Sequence, residues 1–423
     1  NELSGKVPHN QELYDIAKQL DPSRPVIDTD GLFGNDWMDG KLDRPTLDYY
    51  MLQFDVWNLP LDRPDKYKLG AVPAKPALSH ETGNFGTFPL FDQIDLFKHN
   101  FKPFWLTAAK ERVAETGLLA ENELWAANSQ RLYWLCHKLD IENLRKNPYL
   151  SGHHWWLFQD YWTGSNGLVD AYFRPKAAIR PEQVRAFVND VVLLEDGLNI
   201  TYAAGDPIKW KFIVSNYGES PIENASLHWD ASADGKSIAQ GEEFSVNVPQ
   251  GEVQESGHGE FALGEVASPT RVVISARMSA PSQEYRNEWT TWVYPLPPTP
   301  RLAKPLYASR STMRLLEPFG AQPLPEDGSI PKDAVCVGRV LTPAMIESVS
   351  NGARLILLRP EEGFISVNNR FKTSWWMGNA ADNNVGTVVY DNPVTSGIAP
   401  EGWCDQGWYA LLEGAQSYVL NEF

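Results

Sequence analysis

The spacing of apolar residues changes character twice along the chain. Up to about residue 183, short apolar runs alternate with stretches of helical period. Asn10 stands as an N-cap before Leu13, Ile16, Ala17 and Leu20, which recur at the interval of one helix face, and Asp21-Pro22-Ser23 ends that helix. Arg24–Asp28, Phe54–Asn58, Lys75–Ser79 and His154–Phe158 read as buried strands, with helices predicted over 104–116 and 121–139. Strand–helix alternation with long loops after the strands predicts parallel β/α units. The expectation for 1–183 is the C-terminal half of a (β/α)8 TIM barrel.

From 184 to 294 helical period gives way to alternation of two, as in Ile208–Val214 and Ala225–Trp229, with Asn216-Tyr217-Gly218 as a turn between them. Short alternating strands separated by turn residues predict an immunoglobulin-like β-sandwich. Pro295-Leu-Pro-Pro-Thr-Pro300 opens a stiff linker assigned to 295–305. Over 306–423 the α/β pattern returns: strand Ala334–Val337, a helix at 342–350 capped by Thr342 with Pro343 in its first turn, then Asn351-Gly352 and strand Arg354–Leu358. A small doubly wound domain is expected there.

The chain of 423 residues is 43% apolar, enough for two to four cored domains. A net charge of −17 argues against polyanionic partners, so neither nucleic acid nor an anionic membrane is expected. No run of about 18 apolar residues could span a bilayer. Cys136, Cys336 and Cys404 are too scattered for a disulfide framework or a zinc site. His153 and His154 are adjacent on a strand and face opposite sides, a poor geometry for a shared metal. No dinucleotide fingerprint or phosphate loop occurs, and no cofactor or metal is expected. The 16 tryptophans suit either cores or the faces of sugars.

Hydrolysis of a glycosidic bond with retention needs two carboxyl groups about 5–5.5 Å apart, one to protonate the leaving oxygen and one to attack the anomeric carbon. In a barrel both stand at the C-terminal ends of strands. Glu2 follows Asn1, and Glu81 follows the apolar Ala77-Leu78, far enough along for β/α steps to bring the two together. Most of the 54 acidic residues are solvated surface, so position alone does not single these out. Asp28 and Asp30, flanking Thr29 at a strand end, suit either sugar hydroxyls or loop capping.

Asn1-Glu2, the run Lys75-Pro-Ala-Leu-Ser-His-Glu-Thr-Gly83, and Gly152-His-His-Trp-Trp-Leu-Phe-Gln-Asp160 together resemble family 2 of the glycoside hydrolases, in clan A. The stretches Ala17–Val26 and Asp160–Lys176 resemble the bacterial β-galactosidase-like members, as does Asn287–Pro295 at the end of the expected sandwich. The resemblance implies that Glu2 is the general acid/base and Glu81 the nucleophile, with Asn1 on the sugar 2-hydroxyl and Trp156 as the floor of the pocket. His80 and Trp37 would form pocket walls. Family members place a tyrosine after the sixth strand to steady the nucleophile; here Asp55-Val-Trp-Asn-Leu-Pro-Leu61 has none, leaving Trp57 or Asn58 to substitute.

The resemblance begins at the fourth barrel strand. The chain is therefore expected to be truncated or processed, inactive as this fragment alone, and in need of the missing N-terminal part or a second chain supplying it. The implied activity is a retaining exo-glycosidase, a β-galactosidase acting on oligosaccharides, periplasmic or secreted by the family's habit. A β-uronidase using Arg174 or Lys176 on the sugar carboxylate is the alternative within the family, and a degenerate carbohydrate-binding scaffold is the alternative outside enzymes. The C-terminal α/β domain resembles the flavodoxin-like or amidotransferase-like domains appended to some bacterial β-galactosidases. Neither Cys336, mid-strand, nor Cys404, in a loop, fits an amidotransferase nucleophile, so the domain is expected to be non-catalytic. Its aromatic segments at Ser374–Trp376 and Trp403–Trp408 suit a homo-oligomer contact, a reach toward a neighbouring active site, or burial.

Overall fold

The computed structural model describes residues 9–28, 30, 45–52, 61, 73–98, 102–161, 164–281, 283–296, 302–358, 366–371, 388–390, 392–393, 395, 397–398 and 401–418. It is β-rich, with several sheets and interspersed helices, and it divides into two units: Asn1–Pro295 with Phe371–Tyr409, and Leu296–Arg370 with Ala410–Phe423. The stretch 306–423 is thus shared between them.

In the first unit, three parallel strands lie side by side: β1 (Tyr50–Leu52), β2 (Ala77–Thr82) and β3 (Gly152–Trp155). Helices α1 (Asn10–Leu20), α2 (Phe104–Glu115) and α3 (Asn122–Arg145) accompany them. Leu47, Tyr50, Leu52 and Ala77 pack with Leu144 of α3 and Leu150 as one apolar cluster. α1 begins at Asn10, with His9 rather than Asn10 in the cap position and no side-chain cap bond. The expected strand at 24–28 is reduced to one antiparallel bridge between Ile27 and Leu47. The expected strand at 54–58 lies outside the described residues; the described strand, β1, falls earlier in the same apolar stretch. β3 sits two residues ahead of the expected 154–158 because Gly152 pairs with Leu78. An apolar run shows that a strand exists, but its neighbour sets which residues pair.

After the short helix α4 (Pro181–Arg185) the chain enters two sheets. A three-stranded antiparallel sheet comprises β4 (Val191–Asp196), β6 (Pro207–Asn216) and β9 (Glu252–Ala262). A five-stranded sheet in the order β5-β11-β10-β7-β8 comprises β5 (Thr201–Ala203), β7 (Ile222–Ala233), β8 (Lys236–Val248), β10 (Thr270–Ser279) and β11 (Glu284–Tyr294). All pairings in the larger sheet are antiparallel except β5 with β11. Both sheets contribute to one core. Trp210 and Phe212 of β6 meet Trp229 of β7 and Trp289 of β11, with the Trp210 and Trp229 rings edge-to-face at 4.9 Å. Alternation along β6 puts Ile208, Trp210, Phe212 and Val214 inward and Lys209 and Lys211 outward, which is the period-two pattern of its sequence.

α3 is joined to this two-sheet body by a buried polar cluster. Lys138 is ion-paired with Glu142, one turn away, and donates to Asn287 Oδ1 at 2.7 Å. Asn287 in turn donates to Glu142 and to the carbonyl of Leu193, each at 2.7 Å, and Trp289 Nε1 donates to Glu142 at 3.0 Å. Burying a charge is tolerable here because each group is both paired and hydrogen-bonded.

The second unit holds a four-stranded parallel sheet, β13-β12-β14-β15, made of β12 (Leu306–Ala308), β13 (Gln322–Pro323), β14 (Val335–Gly338) and β15 (Arg354–Leu357). Its core is Ile330, Ala334, Cys336, Met345 and Ala353. The helix Pro343–Ser350 is capped by Thr342, whose side chain accepts from the Met345 backbone N–H. A two-stranded antiparallel ladder pairs Ser366–Asn368 with Gln416–Tyr418.

Candidate active site

The C-terminal end of β2 carries His80, Glu81 and Thr82, where the ladder to β3 is interrupted between Ser79 and Thr82. Glu81 has φ +46° and Gly83 φ +75°. A left-handed backbone is free for glycine and strained for glutamate by about 1–3 kcal/mol, so the packing around it must impose the conformation. Part of that packing is visible. A side chain at Gly83 would drive into the His137 imidazole at 2.2 Å, and the Phe85 and Trp156 backbone N–H groups donate to Gly83 and Thr82 carbonyls.

This irregular turn aims the Glu81 carboxylate, 14% exposed, into a polar setting. Oε1 lies 3.3 Å from Nε2 of the buried His80, and Asn84 Nδ2 donates to Oε2 at 3.5 Å. On the other side of the His80 ring, Nδ1 lies 2.9 Å from Asp30 Oδ1. Tyr49 stands near enough for Asp30, after burial, to help push its phenol pKa up. Trp156 follows the end of β3, directly beside Thr82, with its ring half-buried and 6.4 Å from that of Tyr161. His80, Glu81 and Trp156 are therefore brought together on neighbouring strands. Glu2, Asn1, Trp37, Trp57 and Asn58 lie outside the described residues. Asn84, three residues after Glu81, was not expected; only its closeness in sequence signals it.

The loop beyond β3 is fixed by a second buried cluster. Lys176 Nζ donates to Asp160 Oδ1 at 2.7 Å and to Thr87 Oγ1 at 2.9 Å, while Ser165 and the Gly167 N–H also donate to Asp160. Burial pushes the Asp160 carboxyl up and the Lys176 ammonium down, and each charge counters the other's shift. Arg174 donates to Asp170 at 2.5 Å and to Asp92 at 3.1 Å. Both cations considered for a uronic-acid carboxylate are thus engaged by carboxylates of the chain itself.

Among the described residues no group of three or more His, Cys, Asp or Glu side chains is placed to hold a metal ion, and no helix is long and apolar enough to cross a membrane. All three cysteines are buried thiols, none in a disulfide among the described residues. Burial pushes the Cys336 thiol up and, with Asp405 beside it, the Cys404 thiol to about 12, so neither is poised as a thiolate nucleophile.

Known proteins resemble this chain only in part. A family model described as a domain of unknown function, DUF8488, matches residues 206–295, within the two-sheet body. No curated protein matches. Among solved structures, a family 123 glycoside hydrolase from Clostridium perfringens is similar over 30% of this chain and 32% of its own, at 13% identity and a TM-score of 0.20. An exo-chitosanase from Amycolatopsis orientalis is similar over 37% of this chain and 18% of its own, at 13% identity and a TM-score of 0.28. The CARDB domain of a Pyrococcus furiosus protein is similar over 25% of this chain and 87% of its own, at 10% identity and a TM-score of 0.20. The chain spans under a third of the length of either glycosidase.

Proposed function

We propose that this chain carries the nucleophile side of a retaining exo-glycosidase of the family 2 type, with Glu81 as the attacking carboxylate and Glu2 as the acid/base. The observation that carries the reading is Glu81 itself. It is a glutamate forced into a left-handed turn at the end of a parallel strand, with one oxygen beside an imidazole, the other beside an amide, and a tryptophan on the next strand. Strain of this kind persists where the surroundings over-determine a side chain's aim, and active sites are where it collects. A nucleophile needs that aim, because a fixed carboxylate can reach the anomeric carbon in line.

In this reading the three parallel strands belong to a (β/α)8 barrel completed by strands beyond the described ones, the two-sheet body is immunoglobulin-like, and the second unit is a non-catalytic α/β domain. Glu2 protonates the leaving oxygen as Glu81 attacks, then removes a proton from the water that releases the sugar. Asn1 binds the 2-hydroxyl, and Trp37, Trp57 and Asn58 complete the walls. The substrate is a β-galactoside of an oligosaccharide, and the compartment is periplasmic or extracellular. A uronic-acid substrate is disfavoured because Arg174 and Lys176 already hold internal carboxylates.

The test uses the complete protein with a 2-deoxy-2-fluoro-β-galactoside bearing an activated leaving group. A glycosyl ester on the peptide containing Glu81 is the expected result. Tight sugar binding with no covalent label would identify a scaffold instead, and a label on another carboxylate would refute the assignment.

A further inference from the structure

We infer that His80, clamped by Asp30, is the positioning residue of Glu81 and takes over the part that a tyrosine hydroxyl plays elsewhere in the resembled family. The inference rests on the proposed function. Its own foundation is that the His80 ring lies between two carboxylates, Asp30 at 2.9 Å from Nδ1 and Glu81 at 3.3 Å from Nε2. Each carboxylate lies within ion-pairing distance of one ring nitrogen, so a protonated ring faces both with positive charge. Asp30 therefore does more than cap a loop. By holding Nδ1 it sets how the ring is turned, and so where Nε2 meets the Glu81 oxygen.

The ring is well suited to this service. His80 is 6% exposed, so packing fixes its rotamer and water does not compete for its nitrogens. It precedes Glu81 directly, and the turn at Glu81 brings the two neighbouring side chains into contact, where an extended strand would send them to opposite faces. The unusual backbone and the His80–Glu81 contact thus have a common origin. Asn84 steadies the other oxygen from the loop that follows. With Oε1 and Oε2 both engaged, the carboxylate's rotation is limited before a sugar arrives, and attack requires little rearrangement.

The expected kinetics separate positioning from general packing. The complete protein is treated with the same fluoro-galactoside, and the maximal labelling rate is measured alongside the binding constant of a reversible galactoside inhibitor. H80L lowers the labelling rate about 10²-fold while weakening inhibitor binding by less than about tenfold, and H80Q, which keeps a donor near Nε2, recovers about tenfold of the rate loss. D30N alone costs about tenfold. The double variant H80L/D30N is no slower than H80L, because Asp30 acts only through the ring. H80M, similar in volume, replaces H80L if the latter does not fold. Wild-type labelling rates in H80L or H80M, or losses that multiply in the double variant, overturn the inference while leaving Glu81 as nucleophile. Absence of label at Glu81 in the unmodified protein overturns both.

Discussion

At the scale of single residues, the histidines near β3 make the fold sensitive to mild acid. His137 is fully buried among Phe85, Tyr133 and Trp155, stacked on the latter at 4.2 Å, and neither ring nitrogen has a hydrogen-bond partner among the described residues. Burial holds its pKa well below the ordinary value near 6.5, and burial with Arg145 and His154 nearby lowers His153 to about 4. Below pH 6.5 the unfolded chain binds protons that the folded chain refuses, so stability falls as the pH drops, and the His153 part of the loss is complete near pH 4. Each histidine contributes a slope of at most about 1.4 kcal/mol per pH unit. Denaturant midpoints at pH 7, 6 and 5 should decline accordingly and less steeply in H137F; a level profile from 7 to 5 would contradict the burial of the His137 ring. Glu81 was singled out by its place after an apolar strand, and Trp156 only by the resemblance. The partnership of Asp30 with His80 was not legible, because the two residues are 50 positions apart and only the fold brings them together.

At the scale of elements, alternation was the more reliable guide. β6 and β7 contain the strands read from Ile208–Val214 and Ala225–Trp229, since a two-residue period admits only one way to bury a face. α3 shows the opposite case. It runs on to Arg145 past the expected end at 139, and Lys138 and Glu142 on it are buried even though charge normally marks a solvated face. Their burial depends on Asn287 and Trp289, some 145 residues later, which no local pattern reports. Removing one partner leaves an uncompensated charge, so K138M or E142Q should each cost about 3–5 kcal/mol in chemical denaturation. The pair K138M/E142L should recover much of that loss. Additive losses in the double variant would mean that the cluster is not a coupled unit.

For the whole molecule, the assignment of 371–409 to the first unit is the feature least available from sequence, where a proline-rich linker suggests a clean break at 295. The described part of this segment is fastened at several points. Trp292 Nε1 donates to Asp405 at 2.8 Å, the Gly407 N–H donates to the same carboxylate at 2.8 Å, and Asn128 donates to the Gly402 carbonyl at 3.1 Å. Burial pushes the Asp405 carboxyl up, while the Trp292 and Gly407 donors oppose the shift. D405A strands the indole N–H and should lower stability by about 1–3 kcal/mol, read as a shift of the thermal midpoint of the first unit. An unchanged midpoint would show that the segment is only loosely held.

The 113-residue separation between Trp292 and Asp405 also bears on how the chain is made. A ribosome adding roughly 5–20 residues per second needs about 6–23 s to travel that distance. Throughout that interval the nascent chain presents Trp292 without its acceptor. Synthesis speed over 293–405 then governs how long a chaperone, or a neighbouring nascent chain, has access to that indole.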